Sequence, residues 1–148
     1  MGQIVLPASG SVYVDTNAVI FRVQLIEPHL TASEPIWAGL SAQTCEVVTS
    51  GLTLMEVLVK PIRDGDYPLA SLYRHVVLAT VGLYCVPVSL DILESAAELR
   101  ANHRLKTPDA IHAATAIARG CSLFVTNDQD FKRIPNLNVA VLSEVAAS

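Results

Sequence analysis

Charge is scarce in this chain: Asp, Glu, Lys and Arg together supply only 16% of its 148 residues, against 51% apolar. That balance excludes an intrinsically disordered segment and leaves ample material for a buried core. Cysteine is scarce too. Cys45, Cys85 and Cys121 are an odd set without C-x-x-C spacing, each in or beside an apolar run, which argues against a disulfide framework and predicts buried, reduced thiols. Long apolar runs are missing. The longest, Val76 to Val88, is interrupted by Thr80, Gly82 and Pro87 and falls well short of the roughly 20 residues that span a bilayer. Met1 to Gly10 has neither a basic start nor an apolar h-region, and Leu6 stands where a myristoylation signal wants Ser or Thr, so the expected address is the cytoplasm. There is no excess of positive charge. The net charge is -4, so any contact with nucleic acid must come from local basic patches or bound cations. Repeats, low-complexity tracts and linkers are absent, and the length fits one domain over residues 1–148.

What is present is an alternation of strands and helices. Short Val-rich runs of the length of strands buried on both faces occur at Ser11 to Val14, Cys45 to Thr49, Leu83 to Val88, Leu123 to Val125 and Val139 to Leu142. Helical patterns fall between them: Val19 to Leu25, Leu52 to Lys60, and Leu69 to Leu78, with Pro61, Gly65 and Pro68 marking a break between the last two. A loop holds Pro28 and Pro35, and Ile36 to Ala42 has no clear pattern. Asp91 with Glu94 suggests a capping box for a helix running to about Ala101. Thr107-Pro108 suggests a cap and first-turn proline for an Ala-rich helix that Gly120 closes. The order predicts an α/β fold, a central parallel sheet flanked by helices.

In such sheets ligands sit beyond the carboxyl ends of the strands. Four acids fall in that layer. Asp15 ends the first strand, Asp128 follows the fourth, Glu56 lies early in the helix after the second, and Asp109 sits in the first turn of the Ala-rich helix. Two carboxylates ~4 Å apart repel by about 4 kcal/mol at an effective dielectric near 20, so a cluster takes up protons or holds cations. Hard oxygen ligands suit Mg²⁺ or Mn²⁺, which can activate water against a phosphodiester and stabilise the leaving oxygen. Taken singly, each acid has a plainer explanation. Asp15 suits a turn or helix cap, Glu56 the far end of a capping box begun at Thr53, Asp109 the positive end of a helix, and Asp128 and Asp130 a turn. Only their joint placement argues for a site.

Around these acids the chain resembles a known family. Asp15-Thr-Asn17, the stretch Ser50 to Glu56, Thr107-Pro-Asp-Ala-Ile-His-Ala-Ala-Thr-Ala116 and Thr126-Asn-Asp-Gln-Asp-Phe131 look like the successive motifs of PIN domains, especially the VapC-like toxins of bacterial toxin–antitoxin pairs. The likeness runs from about Val12 to Leu142. It implies a PIN-like three-layer fold, a Mg²⁺ or Mn²⁺ site, endonucleolytic hydrolysis of RNA, a cognate antitoxin and a homodimer. Carried over by position, Asp15, Asp109 and Asp128 would be metal ligands, and Glu56 would hold a second ion or position the attacking water. Thr126 and Asn17 would orient the cluster by hydrogen bonds, with Asp130 a fifth acid. Two departures stand out: about ten residues precede the first strand, and Glu27 to Ala42 matches no motif.

Arg100, His103, Arg104 and Lys106 before Asp109, with Lys132 and Arg133 after Asp130, are candidates for holding RNA phosphates, or else serve helix ends and solvent. His112, one turn after Asp109, reads better as a structural histidine than as a general base. Trp37 and Tyr67 are candidate stacking groups for bases, or core and interface aromatics. Three other functions remain open: a housekeeping RNA-processing nuclease, a PIN-like scaffold that binds RNA or protein without cutting, and an acyl-phosphate-forming phosphatase. The last wants Asp-x-Asp where this chain has Asp15-Thr-Asn17.

Overall fold

In the computed structural model, which describes residues 1–148, the five Val-rich runs pair in parallel in the order β3-β2-β1-β4-β5. The strands are β1 (Val12–Val14), β2 (Val47–Ser50), β3 (Leu83–Val86), β4 (Leu123–Thr126) and β5 (Val139–Val141). Register is set along the centre by Val12 opposite both Val47 and Leu123, and by Val14 opposite Val125. Side chains alternate across the sheet. Val12, Val14, Val47, Leu123 and Val125 enter one core, while Tyr13, Val48 and Phe124 enter the other.

The first core is roofed by α1 (Thr16–Val23), α2 (His29–Ser41), α3 (Gly51–Arg63), α4 (Tyr67–Ala79) and the terminal α7 (Leu142–Ala147). The second lies under α5 (Leu90–His103), α6 (Thr107–Ala118) and a short 3₁₀ turn, Gln129–Arg133. Ala110, Ala113, Ala114 and Ala116 are all buried there, so small side chains let α6 lie close beneath its neighbours. The three-layer α/β architecture read from the sequence is the one observed, and no helix is long and apolar enough to cross a membrane.

Several local expectations need correction. Pro35 lies inside α2 rather than in a loop. Its ring removes the amide that would bond the Thr31 carbonyl. Gln3 replaces that donor with its Nε2 at 3.2 Å, and the Ile4 amide bonds Ala32 O at 2.8 Å. The residues before β1 thus repair the proline defect. Pro61 also falls within a helix, and the chain breaks only at Gly65, where φ is +71°. Ser89, not Asp91, caps α5, accepting from the Ile92 amide. Thr107 does not cap α6, because its hydroxyl accepts from Arg100 Nη1 at 2.8 Å while Lys106 holds the cap position. The three cysteines are free but only partly buried. Trp37 is buried, its Nε1 donating to Ser33 Oγ, so it has no face left for a base, whereas Tyr67 is exposed.

Candidate metal centre

The strand order turns about β1: the chain builds outward through β2 and β3, then returns to the other side of β1 with β4. Such a reversal opens a crevice beyond the carboxyl ends of β1 and β4. Asp15 leaves β1 there and Asp128 follows Thr126, the last residue of β4.

Asp15 is buried and does two things at once. Its Oδ1 accepts from the Ala18 amide at 3.1 Å and caps α1; its Oδ2 accepts from the fully buried Thr126 hydroxyl at 2.6 Å. Thr126 Oγ1 in turn accepts from the Asp128 amide at 3.0 Å, so a single hydroxyl ties the two strand ends together. Asp128 caps the 3₁₀ turn through the Asp130 amide at 2.8 Å. The loop is pinned from outside by Asn127, whose Oδ1 accepts from Ser143 and whose Nδ2 reaches His29 Nε2 at 3.2 Å.

The electrostatics link three of the acids. Burial pushes the Asp15 carboxyl above its ordinary pKa, and the Asp109 charge adds to this, against the Thr126 bond, His112 and the Ala18 amide. Asp109, partly buried in the first turn of α6, is raised first by burial and next by Asp128, with His112 and Lys106 opposing. Asp130 is exposed, acts on Asp109 more weakly, and pairs with Arg133 at 3.3 Å. Charges that disfavour one another in this way are relieved by a cation.

Glu56 stands apart from that trio and is held differently. Its Oε1 accepts from Thr16 Oγ1 at 2.7 Å and from His112 Nε2 at 2.9 Å. Burial opposes its ionisation, but the donors from His112 and Thr16 outweigh it and bring its pKa below the ordinary value. Ser50 caps α3, so Glu56 is not the end of a capping box. His112 is buried, and its other nitrogen, Nδ1, lies 2.7 Å from the Tyr13 hydroxyl. Burial and then the Asp15 charge hold Tyr13 well above the usual phenol pKa, so it remains a donor.

Sequence reasoning missed Thr16, Tyr13 and the Glu56 contact of His112. Asn17 is exposed and bonds none of the acids; Thr16, one residue earlier, points inward in its place. The signal for His112 was its position three residues after Asp109, which puts both on one helix face. Of the basic candidates, Arg100 is bound to Leu105 O and Thr107, Lys132 to Glu144 at 2.6 Å and Arg133 to Asp130. Arg104 is exposed in a left-handed conformation at φ +57°, and of these candidates Lys106 is the one whose charge, with that of His112, acts on Asp109.

No three acidic, histidine or cysteine side chains converge tightly enough to enclose an ion by themselves. The donor set still fits Mg²⁺ or Mn²⁺. It is all carboxylate oxygen, it shares unfavourable charge, and Mg²⁺ ordinarily keeps several waters beside one or two carboxylates.

The PIN domain model matches residues 12–137, a span that holds all four acids. The chain belongs to the PIN-domain family. The resemblance read from the motifs is thereby borne out. No curated protein sequence matches the chain. Among solved structures, a toxin–antitoxin complex from Klebsiella pneumoniae contains a chain 27% identical, at a TM-score of 0.65 over 89% of this PIN domain protein and 98% of that chain. VapBC2 from Rickettsia felis, solved with a promoter DNA fragment, is 20% identical, with a TM-score of 0.69 over 88% and 98% of the two chains. VapC20 from Mycobacterium tuberculosis, described as a sarcin-ricin loop cleaving toxin, is 22% identical, with a TM-score of 0.67 over 82% and 93%. The last two share the fold.

Proposed function

We propose that this PIN protein is a metal-dependent endoribonuclease, the toxin of a toxin–antitoxin pair. The observation that carries the reading is the placement of Asp15 and Asp128 at the carboxyl ends of β1 and β4, tied through the Thr126 hydroxyl, with Asp109 on α6 close enough for its charge to act on Asp15. These three would hold Mg²⁺ or Mn²⁺. The ion, when bound, would supply Lewis-acid stabilisation of charge on the phosphodiester oxygens. Asp15 binds with its orientation fixed by Thr126 and the α1 amide, so its remaining lone pairs need no reorganisation. Glu56 has Oε1 committed to Thr16 and His112, which leaves Oε2 to accept from a water near the phosphate or to hold a second ion. Asp130 lies at the rim as a weaker contributor. Lys106 is the first candidate for an RNA phosphate contact, ahead of the internally bound Arg100 and the ion-paired Lys132 and Arg133.

The toxin reading is favoured over housekeeping RNA processing by the complexes among its structural neighbours. An antitoxin segment would have a groove of about 440 Å³ to enter, lined by Ile20, Gln24, Glu56, Lys60, Leu69 and Tyr73 among others. Exposed Met55, Val59 and Ile62 on α3 offer a surface for a partner or a second copy. RNA substrate and antitoxin would both place the protein in the cytoplasm. In the test, purified protein is incubated with RNA and Mn²⁺ or Mg²⁺. Cleavage that a chelator stops is expected, and cleavage that persists in chelator ends the reading.

A further inference from the structure

The site contains a chain of contacts that metal binding by three aspartates does not require. Tyr13, His112, Glu56 and Thr16 come from β1, α6, α3 and α1, which are three separate stretches of the chain because β1 runs directly into α1. They meet at Oε1 of one carboxylate: Tyr13 hydroxyl to His112 Nδ1 at 2.7 Å, His112 Nε2 to Glu56 Oε1 at 2.9 Å, and Thr16 Oγ1 to the same oxygen at 2.7 Å. The His112 ring has no room to turn. Tyr13 meets it edge-on at 5.9 Å and is itself stacked on Phe124 at 4.9 Å, and both Tyr13 and His112 are buried.

Hydrogen-bond accounting fixes the proton. An ionised carboxylate only accepts, so Nε2 must carry hydrogen toward Glu56, in the neutral and the charged imidazole alike. In the neutral ring Nδ1 is then an acceptor, and the Tyr13 hydroxyl is the donor beside it. With Oε1 taken by two donors, only Oε2 is free.

We infer that His112, oriented by Tyr13, is a positioning residue that makes Glu56 act through its Oε2 alone. This deepens the nuclease reading and rests on it for its activity readout. His112 neither touches substrate nor exchanges a proton in the reaction; it removes the rotational freedom of one carboxylate at the end of a helix-borne side chain. Partners of this kind behind a carboxylate are commonly worth ~10- to 100-fold in metal affinity or activity.

The test uses His112→Gln, His112→Leu and Tyr13→Phe. Glutamine places a donor nitrogen the same number of bonds from Cα as His112 Nε2, whereas leucine fills space without a donor. On metal-free wild type, long-range proton–nitrogen NMR correlation should show His112 Nε2 protonated; the tautomer protonated at Nδ1 alone would overturn the inference, whatever becomes of the nuclease reading. In single-turnover RNA cleavage with saturating Mn²⁺, His112→Leu should lower the rate at saturating RNA about 10- to 100-fold while the RNA half-saturation stays within about twofold, His112→Gln should recover most of that loss, and Tyr13→Phe should fall between. Leucine at full rate, or glutamine as defective as leucine in protein that melts like wild type, would also overturn it. A wild type that cuts no RNA removes the nuclease reading but leaves the tautomer result to decide the placement of His112.

Discussion

Thr126→Val isolates the hydroxyl that joins the two strand ends. It keeps the branched shape of a fully buried side chain and deletes two contacts, the 2.6 Å bond to Asp15 Oδ2 and the 3.0 Å acceptance from the Asp128 amide. A hydrogen bond to a charged group is worth about 1.5–3 kcal/mol, and here a buried carboxylate oxygen loses it with a methyl put in its place. The Asp128 amide is only partly buried, so water recovers much of its share. A loss of about 2–4 kcal/mol at pH 7 follows. At roughly 2–4 °C per kcal/mol for a chain of this size, thermal melting should fall by about 5–15 °C. The pH dependence has a definite sign. Thr126 opposes the upward shift that burial imposes on Asp15, so the valine variant raises that folded-state pKa further. A carboxyl whose folded pKa lies above its unfolded one loses stability as pH rises between the two. The deficit should therefore be complete above the folded pKa of the variant and shrink in acid, once Asp15 is protonated. Thr126→Ser, which keeps the hydroxyl, should recover most of the difference. Melting of metal-free protein between pH 4 and 8 measures all of this. A valine variant as stable as wild type at pH 7, or a deficit that does not change with pH, refutes the reasoning.

Other outcomes follow from the same contacts. In the absence of metal, Asp109→Asn should melt at or above wild type at pH 7, because the carboxyl pKa of Asp109 is raised by burial and by Asp128, so its ionisation lowers stability as pH rises. A clear drop would mean that its favourable place at the start of α6, worth about 0.3–1 kcal/mol, dominates. Arg100→Ala should cost about 1–2 kcal/mol in urea unfolding, since the side chain holds Leu105 O and Thr107 across the α5–α6 turn, and should leave RNA affinity within a few-fold. A large affinity loss with unchanged stability would return Arg100 to the RNA surface.

The strands and the layer of acids were legible because both depend on local pattern. Runs buried on two faces are apolar throughout, and a residue ending a parallel strand lands at the carboxyl edge wherever the strand sits in the sheet. The misreadings have a common cause: a partner distant in sequence. Pro35 looked like a loop residue because the donor that tolerates it, Gln3, lies 32 positions away. Thr107 looked like a cap because nothing local shows that Arg100 claims its hydroxyl. The resemblance gave the orienting role to Asn17, whereas Thr16 is the one that faces Glu56, because this depends on the turn out of β1 and on how α1 packs. His112 could be placed on the face of Asp109 by helix period alone, whereas its bond to Glu56 required the pairing of β1 with β2 and the packing of α3 against α6.

The central claim is that clustered carboxylates do the work, and Asp15 lies at the middle of their network. Single-turnover cleavage of RNA in Mn²⁺ by wild type and Asp15→Asn tests it most directly, with both proteins first matched for folding by circular dichroism. Asparagine keeps one oxygen, which can still accept from the Ala18 amide, but puts an NH₂ where Oδ2 accepts from Thr126 and removes the charge. The account predicts chelator-sensitive cleavage by wild type and a loss of at least about 100-fold in the variant, on the scale of removing a metal-holding charge. Folded Asp15→Asn that cuts RNA at the wild-type rate would contradict it.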